Sequence, residues 1–139
     1  VAGPAGGYRF EQHGKSIVYS SDSEHGPAAK HPDEHFVDFF QSADVLIFDG
    51  QYTPAEAASS KLNWGHSDPI TAVELSLRAQ VKQLILFHHE PGYTDRQIEQ
   101  IYQSAVQHLN AQQAIAHTQP RAALPLSIAM AYDGLIVEA

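Results

Sequence analysis

The chain has 139 residues, 43% hydrophobic and 17% charged, which suits one globular domain spanning residues 1–139. Its apolar runs are too short to cross a bilayer, no leader-like pattern is visible, and the absence of Cys excludes disulfides and thiolate metal sites, so a cytoplasmic protein without membrane contact is expected. A net charge of −8, with no basic cluster to offset it, argues against nucleic acid as a partner.

In chain order, Tyr8 to Glu11 and Ile17 to Tyr19 read as two strands joined at His13-Gly14, a hairpin turn. A Gly-, Pro- and Ala-rich loop follows, and then Phe36, Val37 and Phe40 give a short helix one apolar stripe. Val45 to Phe48 is a continuous apolar run of strand length, as in strands buried on both faces. Asp68 before Pro69 is a helix cap followed by Pro at the first helical position, with Ile70, Val73 and Leu77 at helical spacing.

Leu84 to Phe87 is a second buried strand. Thr94 with Gln97 makes a capping box for a long helix whose stripe is Ile98, Ile101, Tyr102, Ala105 and Leu109. The tail reads as two strands, Leu126 to Ala131 and Leu135 to Glu138, turning at Asp133-Gly134. The order β-β-α-β-α-β-α-β-β predicts an α/β fold with one mixed sheet. Right-handed crossovers would place the three helices on one face and leave the other bare.

Three strands run out into polar residues: the second into Asp22, the third into Asp49 and the fourth into His88. Ligands of open α/β sheets bind at the carboxyl ends of strands. His66, just before the cap at Asp68, falls along the same edge, so two carboxylates and two imidazoles converge there. An Asp after a strand is commonly a turn former, Asp68 serves as a cap, and His31, His35, His108 and His117 read as inert. A His88-His89 pair directly after four large apolar residues is harder to dismiss, because half-buried imidazoles need partners.

These segments carry a resemblance. GYRFEQHGKSIVYSSDSEH, ADVLIFDGQY, WGHSD, LILFHHEPGY and the tail AMAYDGLIVEA resemble, in order and spacing, the carboxyl-terminal half of metallo-β-lactamase-type hydrolases. The likeness is to the phosphodiesterase branch that includes ribonuclease Z. The resemblance implies half of an αββα sandwich, with Asp22 as a metal-bridging ligand and His88 as a ligand of one ion. It also implies that Asp49 orients His66, which serves as proton donor beside the leaving group. The family's H-x-H-x-D-H, which supplies most ligands of both metals, has no counterpart here, and Gly3-Pro4 stands where a further ligand histidine is expected.

Two ligands hold zinc poorly, since catalytic zinc sites keep at least three. The expectation is therefore a half-length, non-catalytic chain with a remnant site for a weakly bound divalent metal, zinc or manganese. His25 and His89 are candidate additional ligands. The alternative is a metal-dependent hydrolase of phosphodiesters or related esters, completed by another chain or by an amino-terminal half. A start at Val1 raises the expectation of a lost upstream segment. In the whole family fold two similar halves pack sheet against sheet, so the bare face is expected to form a homodimer or to receive the complementary amino-terminal half.

Overall fold

A computed structural model describes residues 7–22, 34–57, 59–60, 66–116 and 126–139. Strands β1 (Gly7–Gln12) and β2 (Lys15–Ser20) form an antiparallel hairpin. Its turn residues, His13 and Gly14, both adopt positive φ (51° and 75°), as a two-residue turn matched to the strand twist requires. The chain continues through α1 (Glu34–Phe40), β3 (Val45–Asp49), α2 (Pro54–Ala57), α3 (Pro69–Arg78), β4 (Gln83–Phe87), α4 (Asp95–Ala116) and β5 (Ser127–Met130).

The five strands lie in one sheet in the order β1-β2-β3-β4-β5, with β2 to β5 all parallel. Sequential parallel strands force each crossover the same way, so α1, α3 and α4 share one face. Val18, Leu46 and Leu84 lie in register across β2, β3 and β4. With Phe48 and Leu86 they pack against Phe40, Val73, Ala105 and Leu109 of the helices. The expected α/β mixed sheet with helices on one face is thus the observed architecture.

The helix signals act as read. Asp68 accepts the N–H groups of Ile70 and Thr71, and the Thr94–Gln97 box closes through Thr94 N–H to Gln97 Oε1 (2.9 Å) and Gln97 N–H to Thr94 Oγ1 (3.3 Å). Ile101, Ala105 and Leu109 form the buried stripe of α4. On α3 the buried residues are Pro69, Ala72, Val73, Leu75 and Ser76, while Ile70 and Leu77 are half-buried. This helix packs against both α1 and α4, so its buried arc is wider than one stripe.

Two readings are corrected. Leu135 to Glu138 is not a strand: the turn forms, with Leu135 N–H donating to Tyr132 C=O, but the segment joins no ladder and Ile136 is 87% exposed. Apolar character permits pairing without compelling it, because strand formation depends on context. The short helix α2 lies where sequence reading placed none, although Thr53-Pro54-Ala55-Glu56 carries a capping box and a Pro at the first position.

The sheet face away from the helices is only partly open. Tyr8 and Phe10 on β1 are 66% and 61% exposed, and Ile17, Tyr19, Ile47 and Phe87 are half-buried. Val45 and Ile85, on that same face by strand alternation, are 2% and 3% exposed.

Candidate metal and proton-transfer site

Because β2, β3 and β4 are parallel and in register, Ser20, Phe48 and Leu86 sit side by side, and the residues just beyond them share one edge. The main-chain N–H of Asp22 donates to Asp49 Oδ2 at 3.1 Å, tying the end of β2 to the end of β3. Gly50 N–H donates to Phe87 C=O at 3.1 Å and ties β3 to β4. A side chain at Gly50 would bring its Cβ to 3.0 Å from Leu86 Cδ2, which explains glycine directly after Asp49.

Asp49 has no exposed surface. Its Oδ1 accepts from Gln51 N–H at 3.1 Å, and its Oδ2 lies 2.6 Å from His66 Nδ1 as well as accepting from Asp22. Burial pushes the Asp49 carboxyl up from its ordinary value, against the hydrogen bond from His66, the charges of both imidazoles and the Gln51 N–H. With an ionised Asp49 as acceptor, the His66 proton resides on Nδ1 and leaves Nε2 free. Tyr52, 2% exposed, walls the ring edge-on at 5.6 Å, and its N–H donates to Ser67 C=O, holding the His66 segment against the end of β3.

His88 stands edge-on to His66, with ring centroids 4.8 Å apart. Its Nδ1 lies 3.5 Å from Asp22 Oδ1 and 3.6 Å from Asp49 Oδ2, too far for good hydrogen bonds, and is buried with no such partner. Asp22 and His88 both have left-handed backbones, φ 52° and 64°. For His this is an uncommon conformation that persists only where surrounding structure imposes it.

Among the described residues, Asp22, Asp49, His66 and His88 form a group whose nearest donor atoms all lie within 4.8 Å of one another. The donors fit part of a metal shell. Asp49 and His66 already satisfy each other, which leaves Asp22 Oδ1 and His88 Nδ1 as the free pair. Two ligands of one tetrahedral zinc, each at ~2.0–2.1 Å, lie about 3.3 Å apart. The pair here is 3.5 Å apart, and the orphaned His88 Nδ1 is the kind of buried atom that needs a further partner.

The four site residues singled out from sequence are thus brought together. His89 is not among them: its Nε2 lies 3.1 Å from Ala131 C=O, on the tail side. His25 falls outside the described residues. Sequence reading did not register Gln51, whose N–H holds Asp49 and whose Nε2 donates to Glu90 at 3.0 Å. It also passed over Glu56, which receives Thr53 Oγ1–H (2.7 Å) and the hydroxyl of Tyr93. Of these, only the Thr53–Glu56 box left a signal in the sequence.

Residues 1–89 match the family described as a beta-lactamase superfamily domain. Among curated proteins, the chain is 37% identical over 82 residues to ribonuclease Z of Picrophilus torridus, covering 59% of this chain and 24% of that protein. It is 31% identical over 96 residues to ribonuclease Z of Thermoplasma acidophilum, covering 68% and 27%. The chain thus spans about a quarter of the length of these relatives. Among solved structures, the metallo-beta-lactamase fold protein YhfI of Bacillus subtilis superposes with a TM-score of 0.63 at 18% identity, over 91% of this chain and 41% of its own. The short form of human tRNase Z gives 0.58 at 19% identity, over 95% and 37%. Both likenesses establish the fold.

Proposed function

Because the chain belongs to the beta-lactamase superfamily, we propose that it carries one half of a metal-dependent hydrolase site and does not turn over substrate by itself. The observation that carries this reading is the gathering of Asp22, Asp49, His66 and His88 within 4.8 Å at one sheet edge. Asp22 and His88 would hold a divalent ion, zinc or manganese, which when bound supplies Lewis acidity and an activated water. Asp49 keeps the proton on His66 Nδ1, so that Nε2 exchanges a proton with the leaving group. The chain's charge of −8 disfavours a long polyanion, so a small phosphodiester or related ester is the proposed substrate class.

Two ligands fall short of the three that a catalytic zinc site keeps, and no H-x-H-x-D-H occurs in this sequence. The remaining ligands would come from a complementary segment or a second chain seated on the sheet face opposite the helices. The test has two arms. The chain alone, with added zinc or manganese and a chromogenic phosphodiester, should turn over below about 1 per second. Joined to an amino-terminal half that carries H-x-H-x-D-H, it should hydrolyse the ester, with a loss of roughly 10²–10⁴-fold in His66→Ala. Faster turnover by the chain alone that vanishes in His88→Ala would overturn the half-site reading.

A further inference from the structure

His88 presents a problem of support. Its backbone sits at φ 64°, and its buried Nδ1 makes no hydrogen bond. Beside the rings of His66 and Phe87 it has, among the described residues, only the loose approaches of Asp22 and Asp49 at 3.5 and 3.6 Å. Nothing bonded to the imidazole fixes where it lies. A strained, unbonded side chain keeps one position only if the segment carrying it is held from both sides.

The segment is so held. On one side His89 Nε2 meets Ala131 C=O, and Ala131 N–H donates to Leu86 C=O at 2.8 Å. On the other, two side-chain bridges cross to the segment after β3: Gln51 Nε2 donates to Glu90, and the Tyr93 hydroxyl donates to Glu56. Glu56 is itself fixed by Thr53, which donates both N–H (3.2 Å) and Oγ1–H to the same carboxylate oxygen. Tyr93 is anchored at its main chain, with N–H donating to Glu90 C=O at 2.9 Å.

We propose that Tyr93 and Glu56 form a strut between the segments leaving β3 and β4, and act as positioning residues that hold His88 against His66 and Asp22. The inference rests on the half-site reading for its meaning, since a held His88 matters only where His88 has work to do. The strut stays intact over the working pH range, because burial and then the Glu56 hydrogen bond push the Tyr93 hydroxyl up to about 12.

The experiment is imidazole NMR of the metal-free chain with labelled histidine, reading the His88 ring signals and the His66–His88 ring-to-ring Overhauser contact. Tyr93→Phe removes only a hydroxyl and is expected to shift the His88 signals and abolish the contact. Glu56→Ala should do the same, whereas Glu56→Gln, whose amide oxygen still accepts, should keep both. Tyr132→Phe, at an exposed tail position, serves as the control. A folded Tyr93→Phe with unmoved His88 signals overturns the strut, even if thermal stability falls. Should that variant not fold, unmoved signals in Glu56→Ala overturn it equally. The readout uses neither metal nor substrate, so failure of the half-site reading shows in the hydrolysis assay and failure of the strut shows here.

Discussion

His66 Nδ1 lies 2.6 Å from Asp49 Oδ2, and that same oxygen accepts the main-chain N–H of Asp22. Asp49 therefore has two duties. It sets the tautomer of an imidazole, and it fastens the turn that carries the neighbouring carboxylate.

Removing it should be costly. Asp49→Ala leaves His66 Nδ1, Asp22 N–H and Gln51 N–H without their acceptor. Each buried donor left unpaired costs ~1–3 kcal/mol, and water reaches part of this edge, so a destabilisation of about 3 kcal/mol is expected in urea unfolding. A loss under roughly 1 kcal/mol would mean that water replaces the carboxylate readily.

Zinc should bind weakly to the chain alone. Asp22 and His88 offer two ligands, and calorimetric titration is expected to give a Kd above roughly 1 μM. Sub-micromolar binding that survives in the Asp22→Ala, His88→Ala double variant would place the metal elsewhere.

At the opposite rim of the sheet, Asp44 accepts from Lys82 Nζ (2.7 Å) and from Ser16 N–H (2.9 Å), with Lys15 at 3.6 Å. The Lys82 hydrogen bond, followed by the Ser16 N–H, lowers its carboxyl from 3.8 to about 2. A depressed folded-state value means that the ionised form is favoured by folding. Its contribution is full above the ordinary value and is lost as pH falls from there toward 2. Both lysines are more than half exposed, and solvent screening limits the effect to roughly 1 kcal/mol. Asp44→Asn should therefore lower stability at neutral pH, with the difference closing below pH 4 as the wild-type protein is acidified.

The partly open sheet face bears on association. Tyr8 and Phe10, stacked at 6.4 Å and largely exposed, flank the half-buried Ile17, Tyr19, Ile47 and Phe87. Burying that surface is worth about 25 cal/mol per Å² before the entropy of association is subtracted. A two-fold homodimer through this face is the expected state in light scattering at low micromolar concentration. A species of single-chain mass would refute it, and a dimer that survives Tyr8→Ser, Phe10→Ser would move the interface to another surface.

The sheet was legible because its central strands announce themselves. Val45 to Phe48 and Leu84 to Phe87 are apolar throughout. Leu135 to Glu138 misled for the same reason: apolar character says that a segment can pair, not that it does. In the site, Asp22, Asp49 and His88 were visible as strand-end residues, and His66 by its place before a cap. What sequence concealed was how their atoms divide the work. That Asp49 is saturated while His88 Nδ1 is orphaned depends on loop backbones, as do the bridges of Gln51 to Glu90 and Tyr93 to Glu56.

The polarity of the sheet has a practical consequence. Because β2, β3 and β4 all run toward the site, the hairpin bend at His13 and Gly14 lies at their starting rim. His13 already carries an exposed side chain at that bend, whereas Gly14 at φ 75° would be strained by one. A fluorophore or affinity handle placed on His13 would stand about 20 Å from the site, the length of the six-residue β2. It would report on capture of a partner or an ion without touching the groups that do the capturing.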